Sequence, residues 1–538
     1  MANAGLLQEL LEEGQDLSAV DVFARWHDTH PSRPYADRYR DLIPHTPMDG
    51  QQYAFEVDLD ACSGCKACVI ACHHRNGLEN DETWRRVGQL QSQAGLPILQ
   101  TITAACHHCV EPGCMKGCPV QAYVKDEATG IVRHLDDQCF GCQYCIMMCP
   151  YEVPQYRNNL GIVRKCDMCS QRLREGEAPA CVAGCPHQAI RITLVDTRPM
   201  SKDAIEAFEK NRSVDGVTPQ DLGMDAPRDE MTLPTTRFVT KVAGKAEAMA
   251  TSVDFSIERP RGEHAHWPLI AMLLLTQWSV GLWMGLLVSF AIPTESATRA
   301  ALAATAWMTG VAGVLVAPLH LGRPWLAFRG VLGWRTSWLS REALAFGPYL
   351  MTSFLAWIRM DSKDGFAWLL LASVTGGMAV SCSAMVYVAT RRFLWSAWRT
   401  LPDFLGTVAW SASAVLLFCN LESDAFLFEL SALCVLQSAL MASWMMPWWI
   451  GKSSEHQRLL NRWLALCSTP KFLAVLITLF SVTIACNVWG LVMGALFEIE
   501  DRFVGSCILV LAMAAFQIPL RWFFFASIVF PRMPGAHR

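Results

Sequence analysis

The chain has 538 residues and a formal net charge of -4, and its 52% hydrophobic content is divided between a polar first half and a strongly apolar second half. That length allows two or three domains, and the lack of a basic stripe excludes nucleic acid as a partner. Of the 22 cysteines, sixteen fall between Cys62 and Cys185, which points to metal-cluster chemistry.

Residues 1–50 open with LLQELLEEGQDLSAVDVFARWHD, where Leu6, Leu7, Leu10 and Leu11 recur at helical spacing, and a packing or docking helix is expected there. The stretch carries acidic residues and no apolar run of signal-peptide length, so no secretory leader is expected.

Residues 51–195 hold the cysteines in four sets: Cys62, Cys65, Cys68, Cys72; Cys106, Cys109, Cys114, Cys118; Cys139, Cys142, Cys145, Cys149; and Cys166, Cys169, Cys181, Cys185. The first and third read C-x2-C-x2-C-x3-C, the bacterial ferredoxin run in which three cysteines hold one cubane and the fourth reaches to its neighbour. The second widens one gap to four residues and the fourth widens one to eleven. Three sets close on Cys-Pro, whereas His73 follows the last cysteine of the first. A disulfide scaffold needs an oxidising compartment, and structural zinc does not require so tight a run; four [4Fe-4S] clusters are the expected occupants. The segments YAFEVDLDAC, GIVRHLDDQC and AIRITLVD read as short strands beside the cysteine loops, giving an α+β duplicated dicluster ferredoxin-like domain.

Residues 196–262 turn charged and Pro/Gly-punctuated and read as a linker, with one short helix from Asp203 to Lys210. Residues 263–538 contain eight apolar stretches of membrane-spanning length, beginning near Trp267, Ala300, Ala343, Phe366, Pro402, Phe426, Phe472 and Phe503. The expectation is an all-α eight-helix transmembrane bundle. The other cysteines, Cys382, Cys419, Cys434, Cys467, Cys486 and Cys507, lie singly among apolar residues, as buried side chains do.

Thirteen Lys and Arg lie in loops after even-numbered spans (Arg323, Arg329, Arg335, Arg341, Arg391, Arg392, Arg399, Lys452, Arg458, Arg462, Lys471, Arg532, Arg538), against four after odd-numbered ones (Arg299, Arg359, Lys363, Arg502). The positive-inside rule then sets the even loops and the cluster domain on the cytoplasmic face of the inner membrane.

None of the fourteen histidines lies within a span, so bis-histidine haem is not expected. Polar residues instead gather at the cluster-side membrane edge: His264 and His266 before span one, His320 with Gly322, Arg323 and Pro324 after span two, Glu342 opening span three, and Gln517 and Arg521 late in span eight. Arginine and histidine at helix ends commonly snorkel. Several titratable groups meeting where electrons arrive also suit a quinol site, because quinol oxidation releases protons with electrons. The candidate quinol-binding residues are His320, Arg323, Glu342 and Arg521.

The four cysteine sets, with CSGCKAC followed by DETWRRVG, resemble the four-cluster electron-transfer subunit of dimethyl sulfoxide reductase-type molybdoenzymes. HAHWPL, HLGRP, WLSREAL and VATRRFLWSAWRT resemble the eight-span anchor subunit of the same complexes, so two subunits look fused. The resemblance covers about residues 51–195 and 263–530 and leaves the N-terminal segment and the linker unexplained. It implies a wire between menaquinol or ubiquinol and a separate catalytic subunit holding a molybdenum bis-pterin guanine dinucleotide. It also implies cluster ligation by Cys62, Cys65, Cys68 and Cys185; by Cys166, Cys169, Cys181 and Cys72; by Cys106, Cys109, Cys114 and Cys149; and by Cys139, Cys142, Cys145 and Cys118. The competing reading is a membrane-tethered or proton-translocating ferredoxin module, for which Glu429 in span six is the one candidate proton carrier. Terminal substrate specificity would reside in the partner, and the same wire could run in either direction, oxidising quinol or reducing quinone. From the loop charges, reporter fusions after Met360 and after Arg538 are expected to report opposite faces, with Arg538 cytoplasmic; a periplasmic signal at Arg538 would reverse the orientation.

Overall fold

A computed structural model describes residues 42–91, 99–197, 232–240, 267–292, 296–419 and 499–526, together with the single positions 436, 481, 485 and 488. The expected N-terminal docking helix, the 203–210 helix, His264, His266, the spans beginning near Phe426 and Phe472, and Glu429 lie outside the described residues.

The cluster domain begins with β1 (Gln51–Asp58), α1 (Ala67–Asn76), β2 (Arg86–Gln91), β3 (Leu99–Ala104) and α2 (Gly113–Gly117). It continues through β4 (Tyr123–Lys125), β5 (Val132–His134), α3 (Tyr144–Met148), β6 (Gln155–Arg157), β7 (Ile162–Arg164), α4 (Ser170–Arg174), α5 (Ala180–Ala183), β8 (Ile190–Asp196) and β9 (Arg237–Val239). The expected strands are present as β1, β5 and β8. β1 lies at the centre of a three-stranded sheet, antiparallel to β8 from Gln51 opposite Asp196 to Val57 opposite Ile190, and parallel to β9. Three antiparallel pairs, β2–β3, β4–β5 and β6–β7, flank the cysteine loops. Their regularity comes from the backbone ladder rather than from length, since β4 to β7 have only three residues each.

Residues 232–240, within the stretch read as a linker, are built into this domain. The Val110 and Glu111 amides donate to the Leu233 and Thr232 carbonyls, the Thr235 hydroxyl donates to the His107 carbonyl at 2.7 Å, and Phe238 is fully buried. A three-residue strand with one large apolar side chain is too short to register as sequence periodicity. It forms because the edge of β1 offers unpaired backbone groups that must be satisfied.

The anchor contains α6 (Trp267–Val288), α7 (Ser296–Val316), α8 (Trp338–Ile358), α9 (Gly365–Val388), α10 (Ala397–Cys419) and α11 (Ile499–Ala526). Five of these helices, all but α8, carry an apolar window long enough to cross a bilayer. α8 has 21 residues and opens with Arg341 and Glu342 near its start. Starts for spans one to five and eight thus fall on or near helices. Apolar residues cannot drive association among apolar lipid tails, so close packing must do so. Gly281 and Gly285 of α6 lie against Ser411, Ala412 and Val415 of α10, and Gly310 and Gly313 of α7 against Ser279 and Thr276 of α6.

The two parts share one packed seam. Tyr144 and Met148 of α3 belong to the same apolar core as α6, α8, α9 and α10. The Tyr144 hydroxyl donates to the Val386 carbonyl at 2.8 Å, the Ser337 hydroxyl to the Gly117 carbonyl, and the Gly333 amide to the Pro119 carbonyl. Gly141 and Gly161, both left-handed, meet Gly322 backbone to backbone, and a Cβ on Gly322 would stand 2.2 Å from the Gly161 carbonyl oxygen. Because backbone on both sides blocks relaxation, Gly322→Ala is expected to weaken the seam by about 1–3 kcal/mol. The expected signature is faster limited proteolysis at the 316–337 segment with helix content unchanged; unaltered cleavage would mean the seam tolerates the methyl.

Candidate iron-sulfur relay and membrane seam

Each cysteine loop is bent by the same backbone device. The residue immediately before the second cysteine of every set is left-handed: Gly64 (φ +74°), His108 (+43°), Gly141 (+75°) and Met168 (+59°). Glycine accepts that conformation freely, whereas histidine and methionine do so only where the surroundings over-determine it. The three Cys-Pro corners also share a left-handed residue three positions after the cysteine, at Gln121, Glu152 and Gln188. The first set lacks the proline and does otherwise: α1 runs on through His73 to Asn76 and stops at left-handed Gly77.

These turns gather the sixteen thiols into four groups, each drawn from two of the sequence sets. Cys62 lies within electrostatic reach of Cys65, Cys68 and Cys185, and the four line one cavity. Cys72 interacts with Cys181 and Cys169, and Cys166 with Cys72 and Cys181. Cys109 interacts with Cys106, Cys149 and Cys114, and these four line a second cavity. Cys145 interacts with Cys142, Cys139 and Cys118. We call these the outer, second, third and seam quartets.

A [4Fe-4S] cubane fits this donor set. All the cysteines among the described residues are free thiols, and four thiols around a cavity are what its four iron corners require. No three Cys, His, Asp or Glu side chains among the described residues close around a single ion. Burial pushes the Cys72 thiol up to about 12 and Cys118 and Cys149 up to about 11. Such thiols ionise only beside positive charge, which the iron of a bound cluster would supply. Cys139 is the exception: burial acts against its thiolate, but the His134 imidazole beside it holds the thiol below its usual value. Polar hydrogens also aim at the sulfurs, with the Ala122 amide on Cys118 at 3.2 Å and the Met168 amide on Cys166 at 3.4 Å.

The quartets follow one another. Cys68 of the outer quartet is in reach of Cys181 of the second, and Cys166 of the second is in reach of Cys106 of the third. Tyr123 is in reach of Cys114 of the third and of Cys118 and Cys145 of the seam quartet. At one end Cys65 is exposed to solvent. At the other, the anchor touches the loops that carry the seam quartet, at Phe140, Gly141, Tyr144 and Pro119.

The four candidate quinol residues occupy different settings. Glu342 is buried one turn into α8, with Ser383 of α9 at its carboxylate and Tyr144 close enough that Glu342 acts on it electrostatically. Burial, reinforced by Glu342 and Cys142, holds the Tyr144 phenol well above its usual value, so it stays protonated and donates. His320 ends a 3-10 turn (Ala317–His320), half-buried, its Nδ1 against the Ala317 carbonyl. Arg323 turns toward the cluster domain, donating to the carbonyls of Leu160, Asp136 and Cys139 at 3.0–3.3 Å. Arg521 is buried in a network of its own, paired with Asp403 at 2.6 Å and donating to Gln277 and Thr407, with the rings of Phe404 and Phe524 against its guanidinium.

Sequence reasoning missed Tyr144, Arg85 and Lys165. Tyr144 sits between two cysteines of one set, and Lys165 directly precedes Cys166. Arg85 lies in the DETWRRVG stretch, where its neighbour Glu82, buried with Trp84, Arg157 and Arg164 around it, is the residue with visible ionic partners.

Fold and thiol groups together define an iron-sulfur electron-transfer protein built on a 4Fe-4S dicluster domain. Residues 98–194 match the family of that description, 4Fe-4S dicluster domain. The chain is 38% identical over 156 residues to the B subunit of the anaerobic dimethyl sulfoxide reductase of Haemophilus influenzae, covering 27% of this chain and 76% of that subunit. It is 38% identical over 154 residues to the Escherichia coli protein of the same name, 27% of this chain and 75% of that one. It is 32% identical over 177 residues to a formate dehydrogenase iron-sulfur subunit of Haemophilus influenzae, 30% of this chain and 54% of that one. The chain belongs to the family of the anaerobic dimethyl sulfoxide reductase B subunits.

The grouping leads to a defined outcome. The purified full chain is expected to carry about sixteen iron and sixteen sulfide, and Cys118→Ser to alter the paramagnetic signal of the seam quartet while the other three remain. Stoichiometric zinc without a low-temperature signal on reduction would overturn the assignment.

Proposed function

We propose that the chain is the electron-transfer and quinone-reactive subunit of a molybdopterin oxidoreductase complex, passing electrons between membrane menaquinol or ubiquinol and a separate molybdenum catalytic subunit. The observation that carries this reading is the row of four thiol quartets, which starts at solvent-exposed Cys65 and ends against apolar helices. The ligands are Cys62, Cys65, Cys68 and Cys185; Cys72, Cys166, Cys169 and Cys181; Cys106, Cys109, Cys114 and Cys149; and Cys118, Cys139, Cys142 and Cys145. Clusters held there supply one-electron transfer without proton chemistry.

The protons of quinol oxidation must therefore go to side chains. Glu342, buried beside Tyr144 and so beside the seam quartet's α3, is positioned to accept one at its carboxylate. His320, half-buried at the membrane edge with its Nδ1 on the Ala317 carbonyl, is the group placed to pass a proton on to water. Arg323 holds the 316–337 loop on the cluster domain through three carbonyls, and its part is to fix the distance between quinol and the seam quartet. Arg521, already neutralised by Asp403, steadies the α6–α10–α11 side of the same region. The outer quartet faces the molybdenum partner, whose docking would cover Cys65 and exposed Ile70. The domain boundaries this implies are 51–195 for the clusters, joined by 232–240, and 263–538 for the anchor.

Glu342→Gln is expected to lower quinol-driven cluster reduction at least tenfold, and His320→Ala to slow it, with all clusters still reducible by dithionite. Normal quinol oxidation in both variants would move the pocket elsewhere on the anchor.

A further inference from the structure

Two cations lie buried between the quartets. Arg85 is 1% exposed, directly before β2, and its guanidinium is in reach of Cys68 of the outer quartet and of Cys72, Cys166 and Cys181 of the second. Among the described residues no carboxylate pairs with it. One nitrogen reaches the Thr103 hydroxyl at 3.4 Å, the ring of Phe55 lies 4.5 Å from the guanidinium carbon, and Nε and the second terminal nitrogen have no oxygen or nitrogen partner among the described residues. Lys165 is 3% exposed and stands between the second and third quartets. Its ammonium donates to the carbonyls of Val132 and Cys166 and lies 3.7 Å from the Cys106 sulfur, with Cys114 and Cys166 also in reach.

A buried guanidinium with unfilled donors and no carboxylate would be strongly destabilising by itself. Its surroundings hold one kind of compensating anion, the thiolate sulfurs of two quartets. Among the described residues, Lys125, Arg172 and Arg392, which also lie near quartet thiols, are only partly buried, where water screens them.

We propose that Arg85 and Lys165 are redox-tuning residues: two fixed positive charges, alternating with the outer, second and third quartets, which raise the reduction potentials of the clusters beside them. The inference rests on the four-cluster reading above. The step concerned adds one electron from a neighbouring cluster to an oxidised cubane, with no bond broken and no proton taken up, so the net negative charge of the thiolate-ligated unit grows by one. A neighbouring cation inside low-dielectric protein stabilises that added charge, and potentials of such clusters follow net charge and hydrogen bonding to the sulfurs. The second quartet adjoins both cations, the outer quartet Arg85 alone and the third Lys165 alone; the seam quartet adjoins neither. The arrangement makes the middle of the row an electron-accepting stretch between the two ends.

The test is a redox titration of the intact membrane-bound chain, read by low-temperature paramagnetic resonance, with iron counted in every sample. Arg85→Met is expected to lower the reduced-to-oxidised ratio of the second and outer clusters about tenfold at fixed ambient potential, which is about 59 mV for one electron. The third and seam clusters should hold their values. Lys165→Met should shift the second and third clusters and spare the outer one, and Arg85→Lys should restore most of the loss, which a purely packing role would not. Should Arg85→Met lose iron, Arg85→Gln makes the same measurement with a donor kept near Thr103. Unchanged potentials with full iron, equal shifts in all four clusters, or iron loss in every neutral variant at both positions would overturn the tuning role. Fewer than four clusters in the unsubstituted chain would instead overturn the reading on which it rests.

Discussion

Gathering sixteen thiols into one small domain, most of them out of solvent, is the constraint to which the cluster domain answers. Sulfurs that bind iron are thiolates, and thiolates this close repel one another while burial penalises those shielded from water. Stability would therefore depend on charge supplied from within: the iron of a bound cluster, backbone amides and the His134 imidazole at individual sulfurs, and two buried cations between quartets. The small β-pairs hold the loops in which these partners converge. Without the inorganic cores, so little regular structure would have little reason to form, as in other small metal-dependent folds.

The left-handed residues are where this constraint meets the backbone. At Gly64 and Gly141 the sequence supplies the residue that the turn prefers; at His108 and Met168 it does not. The latter two are buried. The His108 ring accepts the Val132 amide at 3.1 Å and its carbonyl takes the Gln52 side-chain amide at 2.7 Å, so side-chain hydrogen bonds hold a backbone that glycine would have adopted freely.

Much of this was legible in the sequence because cysteine spacing is itself geometry. A C-x2-C-x2-C-x3-C run leaves few ways for its sulfurs to point, so the sets, the strands beside them and most span starts could be read from the sequence. What was not legible depended on partners distant along the chain. Nothing local marks Thr232, Thr235 and Phe238 as part of the cluster domain; their burial comes from an open edge of β1 about 180 residues earlier. Arg323 could be placed at the cluster-side edge because it follows a span, but its hydrogen bonds to the carbonyls of Leu160, Asp136 and Cys139 join residues far apart in sequence and show only in the fold. Arg85 carried no signal beyond being one of two adjacent arginines, and only the fold shows that Arg85 is buried among thiols while Arg86 lies beside Glu152.

The seam imposes a division of labour on the anchor's polar residues. An ion pair such as Arg521–Asp403, closed by Gln277 and Thr407 and covered by aromatic rings, has its charges already matched, and disturbing either partner would leave the other stranded in a dry environment. Such a pair suits a fixed brace between α10 and α11. Glu342 is buried as deeply, near Ser383, Tyr144 and Cys382, and among the described residues it forms no salt bridge, so its carboxyl can change protonation without breaking one. The chemistry of a proton-coupled electron donor needs a group of the second kind within reach of the electron acceptor. Under the quinol-oxidising role proposed above, Glu342, set against the tyrosine that lies between Cys142 and Cys145 as Arg521 is not, is the better placed of the two to change protonation as an electron departs.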